Sequence, residues 1–174
     1  MSKLIIVCGL PGSGKTTLAK ELSKKMKITC IHKDSIKECL FDSFEFSTLD
    51  DSKKLGKPSI LTLFRLAEEQ IVNDINIIIE APFNFSDDYQ LFNQWKKKYN
   101  LEIISIICSV DREERKKRFR ERERHHSHHD VDRKLYSSID EVEYDYATIP
   151  GKQIRIKTEL NVNDLVGNII SQIN

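Results

Sequence analysis

Five short apolar runs punctuate the chain, and amphipathic stretches separate them. Leu4 to Cys8 is continuously apolar and stops at a glycine, the pattern of a strand buried on both faces. Ile28 to Ile31, Ile77 to Ile79 and the isoleucine-rich Leu101 to Val110 repeat that pattern, and Gln153 to Lys157 alternates as a fifth strand. Between them, Thr16 to Met26 places Leu18, Ala19 and Leu22 at helical spacing. Ser35 to Phe41, Tyr89 to Tyr99 and the highly charged Asp111 to Arg124 also read as helices. Pro58 to Ile75 is a longer one, with Ile60, Leu61, Phe64, Ala67 and Ile71 on one face. His125 to Asp130 interrupts the pattern, and Asp132 to Tyr144 resumes it. Asn163 to Ile173 closes the chain as a helix with Asn163 as its cap. Phe44 to about Gly56 is polar and aperiodic, which predicts a loop.

Strands that alternate with helices, and are apolar throughout, predict an α/β sandwich: a parallel sheet with helices on both faces. No repeat and no linker divides the sequence, so one domain over residues 1–174 is expected, with 111–130 as a segment of biased composition.

Composition narrows the partners. Hydrophobic residues make up 39% and charged residues 32% of 174, and the formal net charge is +1. Near-neutrality gives no general attraction to nucleic acid or membrane, so no extended nucleic-acid surface is expected. No apolar run approaches the roughly 20 residues of a membrane helix. No leader precedes the first strand, so a cytoplasmic protein is expected. Cys8, Cys30, Cys39 and Cys108 lack CxxC spacing and read as reduced thiols.

The chemistry begins after the first strand. Gly9-Leu10-Pro11-Gly12-Ser13-Gly14-Lys15-Thr16 fits GxxxxGK[ST], between an apolar strand and an amphipathic helix. The glycines let successive backbone N–H groups turn inward on a polyphosphate, and the helix adds its positive N-terminal end. Gly9, Pro11, Gly12, Ser13, Gly14, Lys15, Thr16 and Thr17 are therefore the expected nucleotide contacts, with the Thr16 hydroxyl on Mg²⁺. The motif alone does not separate a kinase from a hydrolase or a nucleotide-sensing protein.

Two acids end strands. Asp34 follows the second strand, at the sheet edge where ligands bind, and can orient or deprotonate an acceptor hydroxyl. It also suits a helix cap. Lys37, one turn on, either binds an anionic acceptor or is solvated. Glu80 ends the third strand, where a carboxylate either holds the waters of Mg²⁺ or is an ordinary strand-end acid. The charged helix offers Arg115, Arg118 and Arg122 on one face, and Arg124 follows. It is either a salt-bridged exposed helix or a lid whose arginines stabilise charge on a transferring phosphoryl group. His125, His128 and Asp132 have spacing that raises zinc, but without a nearby cysteine the favoured reading is histidines of the lid that contact nucleotide or acceptor. Phe41, Phe44, Phe46, Phe83 and Phe85 lie in the segments expected to build an acceptor pocket.

These motifs resemble the small P-loop kinases: AAA-type ATP-binding and zeta-toxin-like kinases, and relatives of polynucleotide kinase, gluconate kinase and chloramphenicol phosphotransferase. The P-loop is similar to their GxPGSGK[ST] form. Asp34-Ser35-Ile36-Lys37 resembles their D-x-x-R element, and Ile79-Glu80-Ala81-Pro82-Phe83 their strand-end acidic element. Arg122-Glu123-Arg124-His125-His126-Ser127-His128 resembles an arginine-rich lid ending in RHxxH. The likeness runs from Ile5 to about Asp130. It implies a three-layer P-loop sandwich with five parallel strands in order 2-3-1-4-5, a helical lid, ATP with Mg²⁺, and transfer to a hydroxyl. It further implies Asp34 as base and Lys15 with Arg118, Arg122 or Arg124 as electrostatic catalysts. Asp34, Lys37 and Phe83 fall at the acceptor side. Lys37 stands where arginine is usual and lacks the bidentate fork for a phosphate. A nucleotide-hydrolysing or sensing protein and a nucleic-acid 5′-end kinase stay open as alternatives.

Overall fold

The computed structural model describes residues 1–129 and 145–173. The helix expected over Asp132 to Tyr144 lies outside them. Strands β1 (Lys3–Gly9), β2 (Cys30–His32), β3 (Ile77–Glu80), β4 (Glu102–Ser109) and β5 (Lys152–Lys157) form one sheet. Their order is β2-β3-β1-β4-β5 and every pairing is parallel. This is the order the family resemblance implied.

Burial on both faces explains why the strands are uninterruptedly apolar. Along β1, Leu4, Ile6 and Cys8 face one layer and Ile5 and Val7 the other. The first layer is α4 (Gly56–Val72) and α5 (Ser86–Tyr99), which contribute Leu63, Phe64, Ala67, Phe92 and Trp95. The second is α1 (Lys15–Met26) and α7 (Val162–Ile173), contributing Leu18, Leu22, Leu165 and Ile169. Each fully buried aliphatic side chain of this kind contributes about 1.5–3 kcal/mol of transfer free energy.

Several boundaries differ from the sequence reading. The expected loop before Gly56 holds α3 (Leu49–Lys54), built on a capping box in which Thr48 and Asp51 satisfy each other's backbone N–H. Helix α2 (Lys33–Ser43) starts before Asp34, with His32 at the cap position and no side-chain cap. The capping role considered for Asp34 therefore falls away. Asn161, not Asn163, caps α7, accepting from the Asn163 N–H at 2.9 Å. The charged helix α6 (Arg112–Glu121) ends early, and Arg122 turns into extended backbone.

Cys8 and Cys108 are buried, Cys30 is half-buried and Cys39 is exposed, all as free thiols. Burial pushes the Cys30 and Cys108 thiols up to about 12, so both stay protonated and behave as small apolar groups. Among the described residues no helix is long and apolar enough to cross a membrane.

Candidate functional site

Parallel strands deliver their C-terminal ends to one edge of the sheet, and the register aligns Val7, His32 and Glu80 there. The loop that leaves β1 turns on glycines. Gly9, Gly12 and Gly14 all hold positive φ (148°, 82° and 79°). At Gly12 an added Cβ would lie 2.9 Å from the Arg115 carbonyl oxygen, so this glycine also lets α6 close against the loop.

The loop feeds α1 in a form suited to an anion. Gly14 caps the helix without a side-chain bond, and no acid occupies its first turn. The N–H groups of Lys15, Thr16 and Thr17 are therefore not competed for by a side-chain oxygen. By contrast, Asp111 caps α6 by accepting from the Glu113 and Glu114 N–H groups. Ser13 is 1% exposed and its hydroxyl has no partner, a buried donor that a phosphate oxygen would satisfy. A cavity of about 440 Å³ opens over this turn, bordered by Gly12, Lys15, Thr16, Arg118, Arg122 and Thr158. Thr17, Leu160 and Val162 extend its wall. Of the expected nucleotide contacts, Gly9, Pro11 and Ser13 shape the loop but do not line the cavity.

Lys15 and Glu80 meet inside the sheet edge. Lys15 Nζ lies 3.9 Å from Glu80 Oε1, and both side chains are buried. His32 Nδ1 lies 2.9 Å from the other carboxylate oxygen, Glu80 Oε2. His32 went unnoticed in the sequence. Its only signal is its place as the last residue of a strand adjacent to β3. A buried carboxylate beside Lys15, the residue that precedes Thr16, has the oxygen chemistry that Mg²⁺ favours.

The arginines divide the work. Arg118 is fully engaged in the wall. Its Nε donates to Glu114 Oε1 at 2.7 Å, its Nη1 to the Thr158 hydroxyl at 3.1 Å and its Nη2 to the Thr158 carbonyl at 3.1 Å. This ties α6 to the end of β5 beside Gly14. Arg115 is buried against the P-loop, and Arg122 stacks over the Phe119 ring at 4.2 Å. Arg124 leaves the helix direction altogether. Its Nη2 donates to Asp34 Oδ2 at 2.9 Å and to His128 Nδ1 at 2.7 Å.

His128 in turn donates from Nε2 to Glu38 Oε1 at 2.8 Å. Because Arg124 donates to Nδ1, the neutral ring carries its proton on Nε2. Burial, then the neighbouring Arg124, pushes His128 down to about 3. For Asp34, burial works against the carboxylate, but Lys33, His128, Arg124 and Lys15 outweigh it and lower its pKa. Asp34 is thus ionised at neutral pH while its side chain stays 43% exposed.

Lys37 is neither solvated nor open to an acceptor. It is 3% exposed and donates to the Ser52 hydroxyl at 2.8 Å, which itself donates to the Ser127 carbonyl at 2.5 Å. It joins α2, α3 and the histidine segment. Phe83 is also mostly core: 2% exposed, it stacks on Phe64 and meets Phe92 edge-on, and only borders a second cavity. The spacing that raised zinc is not assembled among the described residues. His128 is taken by Glu38 and Arg124, and Asp132 lies outside the described residues. His125 and His126 instead bring their Nε2 atoms to Asp42, at 3.1 and 3.5 Å. The Ser127 N–H donates to His125 Nδ1 at 3.2 Å, so Nε2 carries the proton and donates to Asp42, and Asp42, His125 and His126 bring three metal-ligating atoms together with that hydrogen bond already made.

Sheet order, glycine loop and buried Lys15–Glu80 pair together define a P-loop fold. The chain belongs to the AAA domain family, whose sequence profile matches residues 4–140. No curated protein matches its sequence. Among solved structures it is similar to a candidate kinase from Chloroflexus aurantiacus J-10-fl, with TM-score 0.82 and 20% identity over 99% of this chain and 96% of that one. It is also similar to shikimate kinase of Aquifex aeolicus VF5, with TM-score 0.59 and 16% identity over 98% and 95% of the two chains. A third likeness is to the APS kinase CysC of Mycobacterium tuberculosis in complex with AMPPNP and APS, with TM-score 0.58 and 13% identity over 99% and 97%. At these identities the likeness is one of fold.

Proposed function

We propose that this chain is an ATP-dependent phosphotransferase that moves the γ-phosphoryl group to a hydroxyl of a small-molecule or nucleotide-like acceptor. The observation that carries this reading is Asp34. An ionised, partly exposed carboxylate stands at the same sheet edge as the P-loop, near Lys15 yet outside the nucleotide cavity. A hydrolase needs only to place water; a carboxylate framed by Arg124 and Lys33 suits a second substrate.

In this reading the P-loop amides and Lys15 hold the phosphates, and Arg118, Arg122 and Thr158 line the remainder of the nucleotide cavity. Thr16 and Glu80 would hold Mg²⁺, which neutralises charge on the phosphate oxygens. As the acceptor oxygen bonds to the γ-phosphorus, the bond from that phosphorus to the β-bridging oxygen breaks and ADP departs. With its pKa held low, Asp34 chiefly orients the hydroxyl and accepts its proton late, passing it to solvent. Arg124, on the segment that closes over this edge, stabilises the transferring charge. The AMPPNP and APS bound to the similar APS kinase support a site with room for nucleotide and acceptor together.

The test is a screen with labelled ATP over nucleosides, sugars and oligonucleotides, run beside Asp34→Asn. The variant should bind ATP normally and lose transfer. Equal transfer by the variant would remove Asp34 from the chemistry and return the protein to the hydrolase or sensor class.

A further inference from the structure

A second cavity, of about 600 Å³, opens beside the end of β3, between the start of α4 and the turn into α5. Its size is that of a small-molecule site. Ile60, Leu61, Phe64, Phe83, Phe85 and Leu91 make its walls apolar. The β3–α5 turn is held in place before any ligand arrives. The Tyr89 hydroxyl donates to the Phe83 carbonyl at 2.9 Å, and the Tyr146 hydroxyl to the Pro82 carbonyl at 2.7 Å. Phe83 keeps a left-handed φ of 42° there. Leu61 and Phe85 remain exposed at the rim, Phe85 by 67%. Lys33 links the cavity to the chemistry, since it lines the cavity and its Nζ lies 3.7 Å from Asp34 Oδ1.

The charges are selective. Two lysines, Lys33 and Lys57, and two aspartates, Asp87 and Asp88, line the cavity; Lys33 already lies 3.7 Å from Asp34, and no arginine there offers a phosphate or carboxylate a bidentate partner. Asp87 and Asp88 at the start of α5 would repel one. Asp88 is 8% exposed, and no lysine or arginine among the described residues pairs with it. Its carboxylate meets the Phe85 backbone, and burial, with Asp87 beside it, raises its pKa to about 6. A buried carboxylate left without a cation is costly unless something arrives to pair with it. A sugar fits less well, because Ile60, Leu61, Phe64, Phe83, Phe85 and Leu91 offer its hydroxyls no partners and Asn84 is the sole neutral amide among the lining side chains.

We propose that this cavity holds the phosphate acceptor, and that the acceptor is an amphipathic amino alcohol. Its apolar, aromatic-sized body packs on Ile60, Leu61 and Phe85, its ammonium pairs with Asp88, and its hydroxyl points to Asp34. The proposal rests on the phosphotransferase reading for the occupant's role, but its binding test needs no ATP.

Calorimetric titration with three probes decides it: 2-amino-1-phenylethanol, the uncharged 1-phenylethanol, and gluconate. At neutral pH the amine should bind about tenfold or more tighter than the neutral alcohol, as expected for a charge-assisted contact, and gluconate should bind weakest. Asp88→Asn should bring the amine down to the neutral alcohol and leave the latter unchanged. Phe85→Ala should weaken both alcohols equally. An unchanged ratio in Asp88→Asn would make Asp88 a helix cap only and overturn the proposal, as would preference for gluconate. Should Asp88→Asn fail to fold, the exposed rim variant Leu61→Lys serves instead: it should lower the amine preference, and an unchanged preference overturns the proposal. Failure of ATP binding would sink the kinase reading and leave the probe ratio intact, whereas a flat ratio would leave ATP binding intact.

Discussion

Arg124 and Asp34 lie 90 residues apart in sequence and meet through a 2.9 Å charge-assisted hydrogen bond. The contact joins the start of α2 to the segment that follows α6. It fixes the proposed acceptor-orienting carboxylate and the proposed charge-stabilising arginine in one unit, before either substrate is bound. His128 and Glu38 brace the arginine from behind.

Arg124→Lys tests that unit. Lysine keeps the charge but cannot donate to Asp34 and His128 from one planar group. Steady-state kinetics with a phosphorylated-product assay should show kcat reduced about 10²–10³-fold, the scale of a lost preorganised donor, with the Kd for ATP within a few-fold. Loss confined to ATP affinity would move Arg124 out of the transfer step.

The same bracing makes the closed arrangement sensitive to acid. His128 titrates near 3 in the folded chain and near 6.5 when released. Between those values the opened or unfolded state binds more protons, so stability rises with pH and is lost as pH falls from 6.5 toward 3. Asp34, with its lowered pKa, adds to the loss below its ordinary 3.8. Glu38, with its pKa raised by burial and by Asp34, works in the opposite sense above its ordinary 4.5. Thermal melts from pH 7 to pH 4 should show a falling midpoint that His128→Gln flattens. A parallel fall in the variant would assign the acid sensitivity elsewhere.

Gly12→Ala tests the cup's shape. The new methyl would meet the Arg115 carbonyl oxygen at 2.9 Å, on a backbone with φ 82°. Either the loop or α6 must shift, at about 1–3 kcal/mol. Chemical denaturation should report that loss, and ATP binding should weaken with it. A variant of native stability that binds ATP normally would show that α6 does not rest on the loop in this way.

Much of this was written in local sequence, and the exceptions have physical causes. The P-loop is legible because positive φ demands glycine at fixed offsets, and the five strands because burial on both faces demands unbroken apolar runs. Asp34 and Glu80 are legible as acids at strand ends. Helix α3 is hidden because five of its six residues are polar; its one signal is Thr48 with Asp51 three residues on. The burial of Lys37 depends on Ser52 and Ser127, far along the chain, and no periodicity encodes such a meeting. Arg124 looked like one more helical charge because nothing in Arg-Glu-Arg marks the end of α6 at Glu121. Thr158, Leu160 and Val162 gained a role only when β5 delivered the following turn to the P-loop.

The central claim is that the amides between β1 and α1, with Lys15, form a cup for the polyphosphate of ATP. Calorimetric titration of Mg·ATP into the wild-type chain and into Lys15→Ala tests it most directly. The account predicts saturable binding by the wild type, lost or weakened at least about tenfold when the charged contact is removed. Equal binding by both proteins, or none by the wild type, would contradict it.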